Sequence, residues 1–216
     1  MKKIIIVDDH PLIRKGLALT LDADPNLTVI HQASEAKEVM SVLNEKEADL
    51  IIVDISLPGM NGLELIKHIK AIRPDIKILV VSRHDESLYA ERAIRAGAQG
   101  YVMKLEASEV ILKAIRTVLN GGIYVSDNIN KRLLMRMVSG YKSLSQSPLE
   151  VLSDRELEVF ELTGNGLNSR EIAENLQLSI KTVETYRARI KDKLSLNSAT
   201  ELVLHASRWV DGLNTN

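Results

Sequence analysis

The chain has 216 residues, 45% hydrophobic and 26% charged, with a formal net charge of -1. That is enough for one large or two ordinary domains with real cores, and the near-neutral balance argues against indiscriminate coating of nucleic acid or membrane. The absence of cysteine excludes disulfides and thiolate metal sites and fits a reducing cytoplasm, while no run approaches the ~20 apolar residues of a membrane span.

After Met1-Lys2-Lys3 comes the apolar run Ile4-Ile5-Ile6-Val7, too short for a leader peptide and ended by Asp8-Asp9. A cytoplasmic protein without a membrane partner is expected. A helical pattern over 11–21 follows, then a strand candidate at Leu27-Thr28-Val29-Ile30 and a helix over 36–44. Leu50-Ile51-Ile52-Val53 runs into Asp54, with a helix over 62–72 behind it. Ile78-Leu79-Val80-Val81 runs into Ser82, with a helix over 87–96. Tyr101-Val102-Met103 runs into Lys104, followed by a helix over 107–119. There Val110, Ile111, Ala114, Ile115 and Val118 hold the three-four spacing that lays one face on a sheet.

Short β-branched runs without alternation are strands buried on both faces of a parallel sheet. Five strand-then-helix repeats predict an α/β domain over 1–120, a five-stranded doubly wound parallel sheet with right-handed crossovers. From 121 to 148 the character changes. Gly121-Gly122 breaks the pattern, and the serines around Gly140 and Pro148 read as a flexible linker. Ile129, Leu133 and Met137 within it share one helical face, which allows a short helix. Lys131, Arg132, Arg136 and Lys142 stand against Asp127 alone, so the tether is basic.

The remainder, 149–216, reads as a smaller all-α domain of four helices. Ser153 with Glu156, Asn168 with Glu171 and Ser198 with Glu201 have capping-box spacing, and Ser179 can cap a fourth helix. A helix over 169–175, the turn Leu176-Gln177-Leu178-Ser179 and a helix over 180–194 make a helix-turn-helix. Val183, Ile190 and Leu194, with Tyr186 or Arg187 between them, are expected to face the core. Lys181, Glu184, Thr185, Ala188, Lys191 and Asp192 face outward, with Arg187 and Arg189 flanking.

Ligands of open α/β sheets bind beyond the carboxyl ends of the strands, where Asp8, Asp9, Asp54, Ser82 and Lys104 would gather. Such a crevice suits a divalent cation and a phosphoryl group. A carboxylate can attack phosphorus to give an acyl phosphate, hard Mg²⁺ takes carboxylates and phosphate oxygens, and Lys104 can neutralise a phosphate oxygen. Singly, each residue has an ordinary alternative: Asp8-Asp9 ahead of Pro11 would suit a helix cap, and Tyr101 a core aromatic. In this order, each at a strand end, they favour the phosphoryl site.

These residues, with Leu57-Pro58-Gly59-Met60-Asn61-Gly62 after Asp54 and Tyr101 three residues before Lys104, resemble the flavodoxin-like receiver domain of bacterial two-component response regulators. The resemblance implies that Asp54 takes a phosphoryl group from a sensor histidine kinase. It implies that Asp9 and Asp54 ligate Mg²⁺, with Asp8 helping through water and the Ser56 main-chain carbonyl as a further ligand. It also implies a switch in which the Ser82 hydroxyl moves toward the phosphate and the Tyr101 ring turns inward. Leu105 departs from the family pattern, which commonly has proline after the lysine. A phosphatase of the haloacid dehalogenase type would need an acidic residue where Ser56 stands, so the chain is not read as an enzyme.

In the second domain the runs Leu152-Ser153-Asp154-Arg155-Glu156, Asn168-Ser169-Arg170-Glu171-Ile172-Ala173 and Leu178-Ser179-Ile180-Lys181-Thr182-Val183-Glu184 resemble the LuxR-type helix-turn-helix. That implies sequence-specific binding of double-stranded promoter DNA and dimer contacts through a last helix around 199–209, with RNA polymerase a further candidate partner. Lys181, Thr182, Glu184, Thr185, Arg187, Ala188, Arg189 and Lys191 are the candidate DNA contacts. The expected whole is a transcription regulator acting as a homodimer when phosphorylated or on DNA. Its alternative is a phosphorylation-gated module that binds protein. Between 149 and 216 there are eight Lys and Arg against eleven Asp and Glu, yet 181–193 holds five Lys and Arg against two acids, so the positive face is confined to one helix and a single copy should grip DNA weakly.

Overall fold

The computed structural model describes residues 1–139 and 148–214. The apolar runs form five parallel strands, β1 (Lys2–Val7), β2 (Leu27–Ala33), β3 (Leu50–Val53), β4 (Lys77–Ser82) and β5 (Gly100–Met103), in the order β2-β1-β3-β4-β5. Helices α1 (Pro11–Asp22), α2 (Ala36–Glu45), α3 (Gly62–Ile72), α4 (Glu86–Ala96) and α5 (Ser108–Leu119) alternate with them. Ile4, Ile6, Leu50, Ile52, Leu79, Val81 and Val102 pack with Leu17 and Leu21 of α1 and Ile111, Ile115 and Val118 of α5. The intervening Ile5, Val7, Ile51, Val53, Ile78, Val80 and Tyr101 are equally buried and by strand alternation face the other way. There α2 and α4 pack on the strands, with α3 against both helices. Burial on both faces is why these strands show no polar alternation. The strand order reverses between β1 and β3, so the crevice for a ligand opens where Asp8-Asp9 and Asp54 emerge.

Loop chemistry sets the helix starts around this crevice. His10, not an aspartate, is the N-cap of α1, without a side-chain bond, and Pro11 takes the first helical position. The Asp8 carboxylate instead accepts the His10 main-chain N–H at 2.8 Å. Asn61 caps α3 by accepting from Glu64 N at 2.9 Å.

The chain does not leave this unit at the end of α5. Tyr124 pairs with the open edge of β5, accepting from Tyr101 N at 2.8 Å and donating to Gln99 O at 2.9 Å. A sixth helix, α6 (Asp127–Ser139), then lies on α4, with Ile129 buried. Ser126 Oγ donates to Glu86 Oε1 at 2.6 Å, and Arg132 Nη1 donates to Ser87 O at 3.1 Å. Much of the stretch expected as tether therefore serves to cover an otherwise bare strand edge and helix face. Of the flexible linker, residues 140–147 lie outside the described residues. The chain divides into the units Met1–Tyr141 and Lys142–Asn216.

The second unit starts with a 3₁₀ turn (Pro148–Val151), followed by α7 (Asp154–Gly164), α8 (Ser169–Leu176), α9 (Ile180–Leu194) and α10 (Ala199–Asn214). Leu157, Phe160, Ile172, Leu176, Val183, Ile190, Leu202 and Ala206 form its core. Leu194, expected inside, is only half-buried. The capping boxes at Ser153 and Asn168 are complete. At Ser198 the hydroxyl accepts from Glu201 N, but the Glu201 carboxylate returns to Asn197 N instead. Among the described residues no helix is long and apolar enough to cross a membrane.

Candidate phosphoacceptor site and nucleic-acid interface

Adjacent strands β1 and β3 bring Asp8 and Asp54 together, 2% and 1% exposed. Lys104, from the end of β5, reaches across with Nζ 2.8 Å from Asp8 Oδ2 and 2.7 Å from Asp54 Oδ2. Its own main-chain N–H donates to Ser82 O at 2.8 Å, so the ammonium is in place although Leu105 follows it. The second Asp54 oxygen accepts from Ile55 N at 2.7 Å. Two buried carboxylates share one ammonium, and Asp9 stands beside them at the rim, 36% exposed at its side chain. One ligand atom each from Asp8, Asp9, His10 and Asp54 can be chosen so that all lie within 4.8 Å of one another. An excess of negative charge in so small a volume suits a divalent cation. Asp9 Oδ1 is shielded from solvent and has no hydrogen-bond partner, which also suits one.

Ser82 is fully buried at the end of β4, its Oγ accepting from His84 N at 3.4 Å. Tyr101 is 1% exposed and donates from its hydroxyl to His84 O at 2.7 Å. The His84 ring lies 2.8 Å (Nε2) from Ser56 Oγ and packs on Tyr89 at 4.5 Å between centroids. His84 thus touches Ser56, Ser82 and Tyr101 at once. Nothing in the sequence marked it, because its reach to Ser56 depends on β3 and β4 being neighbours. Arg14, on the first turn of α1, donates to the Asp8 main-chain oxygen and was not singled out either. A cleft of about 550 Å³ lies at the other, amino end of the strands. Its Asp49 is engaged by Lys2 at 2.8 Å and by Lys3 N, leaving no comparable cluster there.

In the second unit α9 presents Lys181, Glu184, Thr185, Ala188, Arg189 and Asp192 to solvent, while Thr182, Tyr186, Arg187 and Lys191 are half-buried. Thr182 Oγ1 lies 2.7 Å from Ser179 Oγ, within the cap. Thr185 donates to Lys181 O at 2.9 Å, which leaves its methyl group free for an apolar contact. Ser169, at the start of α8, donates to Glu184 and accepts from Arg187 at 3.0 Å. That bridge holds Glu184 in a fixed place on the exposed face, and no spacing in the sequence marks it. Lys181, Thr185, Tyr186 and Arg189 line a shallow cleft of about 290 Å³ with Ser179 and Thr182.

Comparison with known proteins bears on both units. Residues 4–116 match the family described as response regulator receiver domain, and residues 150–206 match bacterial regulatory proteins, luxR family. The oxygen regulatory protein NreC of Staphylococcus carnosus is 35% identical over 208 residues, covering 94% of this chain and 96% of that protein. The response regulator GacA of Pseudomonas aeruginosa is 36% identical over 208 residues, covering 96% of each. Among solved structures, RcsB of Salmonella enterica serovar Typhimurium, bound to promoter rprA in the presence of the phosphomimetic BeF3-, is 26% identical with a TM-score of 0.64, covering 95% of this chain and 98% of that one. With both units matched and relatives aligned over nearly their whole length, the chain belongs to the LuxR-family response regulators, transcription regulators that join a receiver domain to a helix-turn-helix DNA-binding domain.

Proposed function

We propose that Asp54 is the phosphoacceptor, that Asp8, Asp9, Asp54 and the Ser56 main-chain carbonyl hold Mg²⁺, and that the donor is the phosphohistidine of a sensor kinase in the cytoplasm. The observation that carries this is the buried Asp54 carboxylate, held between Lys104 Nζ and Ile55 N–H beside two further carboxylates. Bound there, the cation would neutralise phosphate oxygens and lower the cost of bringing an anion to an anionic crevice. Asp54 supplies the attacking oxygen, and the bond from phosphorus to the donor nitrogen breaks as the acyl phosphate forms. Lys104 then has a phosphate oxygen to pair with, which loosens its hold on Asp8. Ser82, on the neighbouring strand, donates to another.

The same reading gives the switch. A Ser82 hydroxyl drawn to the phosphate gives up the His84 N–H, and the loop that also receives the Tyr101 hydroxyl must readjust. The loop leads directly into α4, against which α6 is tied. We read 1–120 as receiver, 121–148 as a connector whose first part docks on the receiver, and 149–216 as the DNA-binding domain. In that domain Lys181, Glu184, Thr185, Ala188, Arg189 and Lys191 face the major groove of operator DNA, with Arg187 and Thr182 supporting from behind, and two phosphorylated copies bind neighbouring half-sites.

Intact-mass spectrometry after incubation with Mg²⁺ and acetyl phosphate is the direct test. Wild-type protein should gain one phosphoryl group and Asp54→Asn none. An adduct that persists in Asp54→Asn moves the acceptor elsewhere.

A further inference from the structure

Lys181 and Arg189 on the exposed face of α9 suit phosphates, but Glu184 on the same helix works against them. An exposed carboxylate there repels the phosphates of any duplex, whatever its sequence. Glu184 is the fifth residue of α9, beyond the first turn in which an acidic side chain gains from the helix dipole. The other acidic residue of the helix, Asp192, lies about 12 Å further along the axis. Glu184 is also held in place. Ser169, the first residue of α8, donates its hydroxyl proton to Glu184 Oε1 and accepts from Arg187 Nη1 at 3.0 Å. A hydroxyl has one proton to give, so the two bonds fix each other's direction. One carboxylate oxygen is thereby committed, and the other is left as an acceptor with no proton to offer. Asn168 caps α8 and Ser179 caps α9, so neither helix needs this bridge for its start.

We propose that Glu184 is a specificity-determining residue that selects a cytosine in each operator half-site, and that Ser169 is the positioning residue that aims it. In a helix-turn-helix the amino-terminal part of the second helix meets the base edges. In the major groove cytosine presents its N4 amine alone, whereas adenine sets the N7 acceptor beside its N6 amine, and guanine and thymine present acceptors. A carboxylate can only accept, so cytosine suits it best and adenine less well. Repulsion from the phosphates then becomes discrimination, because only a site with the amine in place offsets it. The inference rests on the reading of α9 as the groove-facing helix, and the two can fail separately.

The test uses the full chain, incubated with Mg²⁺ and acetyl phosphate, and a randomised duplex library carried through rounds of selection and sequencing. Wild-type protein should enrich half-sites with cytosine at one position, and Glu184→Ala should lower that preference about tenfold. Glu184→Gln, which both donates and accepts, should turn the same position toward adenine. Ser169→Ala should weaken the cytosine preference about threefold or more, and Ser169→Thr, which keeps the hydroxyl, should restore it. Thermal unfolding by circular dichroism confirms that each variant is folded. Glu184 variants that enrich the wild-type operator unchanged overturn the proposal while DNA binding by α9 stands. A uniform rise in affinity for all duplexes overturns it too, assigning Glu184 to charge alone. Ser169→Ala binding that falls equally for all sequences makes Ser169 structural and overturns its positioning role. Failure of wild-type protein to enrich any sequence removes DNA recognition by α9, and this inference with it.

Discussion

At Gly62 a side chain has no room. A Cβ built there would lie 2.0 Å from Asp54 O and 2.8 Å from Asp54 C, and the Gly62 N–H already donates to Ile55 O at 2.8 Å. The obstacle is backbone, which cannot swing aside as a side chain can. Gly62→Ala should therefore cost about 1–3 kcal/mol in urea unfolding of the receiver. It should also slow labelling by acetyl phosphate, because the strain falls on the main chain of the proposed acceptor. Labelling at the wild-type rate would show that the loop relaxes without moving Asp54. The residue scale also shows where sequence reading stops. Asp8, Asp54, Ser82 and Lys104 were legible because each ends an apolar run, so one rule about strand ends gathers them. Gly62 closes the run that follows Asp54, and its contact with the Asp54 main chain shows why that place takes a glycine. His84 carries no such mark: histidine beside a strand end has no periodicity, and its contacts with Ser56 and Tyr101 arise only after the sheet is assembled.

Among the elements, those that bury a strong apolar face were legible and those held by polar docking were not. β3 and α3 lie where the runs and spacing put them, since a strand buried on both faces admits few other arrangements. α6 was allowed as a helix, but its attachment through Ser126, Arg132 and Tyr124 was not foreseen, because bonds to Glu86, Ser87 and Tyr101 cross long sequence intervals. In the second unit the cap of α7 carries a pH dependence. Burial works to raise the Glu156 pKa, but hydrogen bonds from Lys193 and from the Ser153 backbone outweigh it, and the pKa lies below the ordinary glutamate value. A lowered folded-state pKa stabilises above the unfolded value of about 4.3 and is lost as pH falls from there through the folded one. Glu156→Gln should cost about 1–2 kcal/mol at pH 7, through the weakened cap and the Lys193 contact. That difference should shrink as the solution is acidified below about pH 4. Urea titrations of both proteins at pH 7 and in acid check this, and a difference independent of pH would mean that packing, not charge, makes Glu156 useful.

Over the whole molecule, charge decides how it can hold DNA. The 149–216 segment is acidic in total, and five of its eight Lys and Arg lie on α9, so phosphate contacts are expected to concentrate there. Lys181 and Arg189 are exposed and Lys191 half-exposed, whereas Arg187 is partly committed to Ser169. Roughly three phosphates neutralised per copy give a slope of about -3 in log affinity against log salt, and two copies on neighbouring half-sites about -6. Non-specific affinity at the smaller slope is weak, so a single copy would seldom occupy a site at physiological salt. Phosphorylation need not alter any contact made by α9; pairing two copies is enough. The full chain treated with phosphoryl donor should therefore show a salt slope about twice that of Asp54→Asn on the same operator, with half-sites about one helical turn apart. Equal slopes with unequal affinities would point instead to a phosphorylation effect within one copy, such as release of α9 from an internal contact.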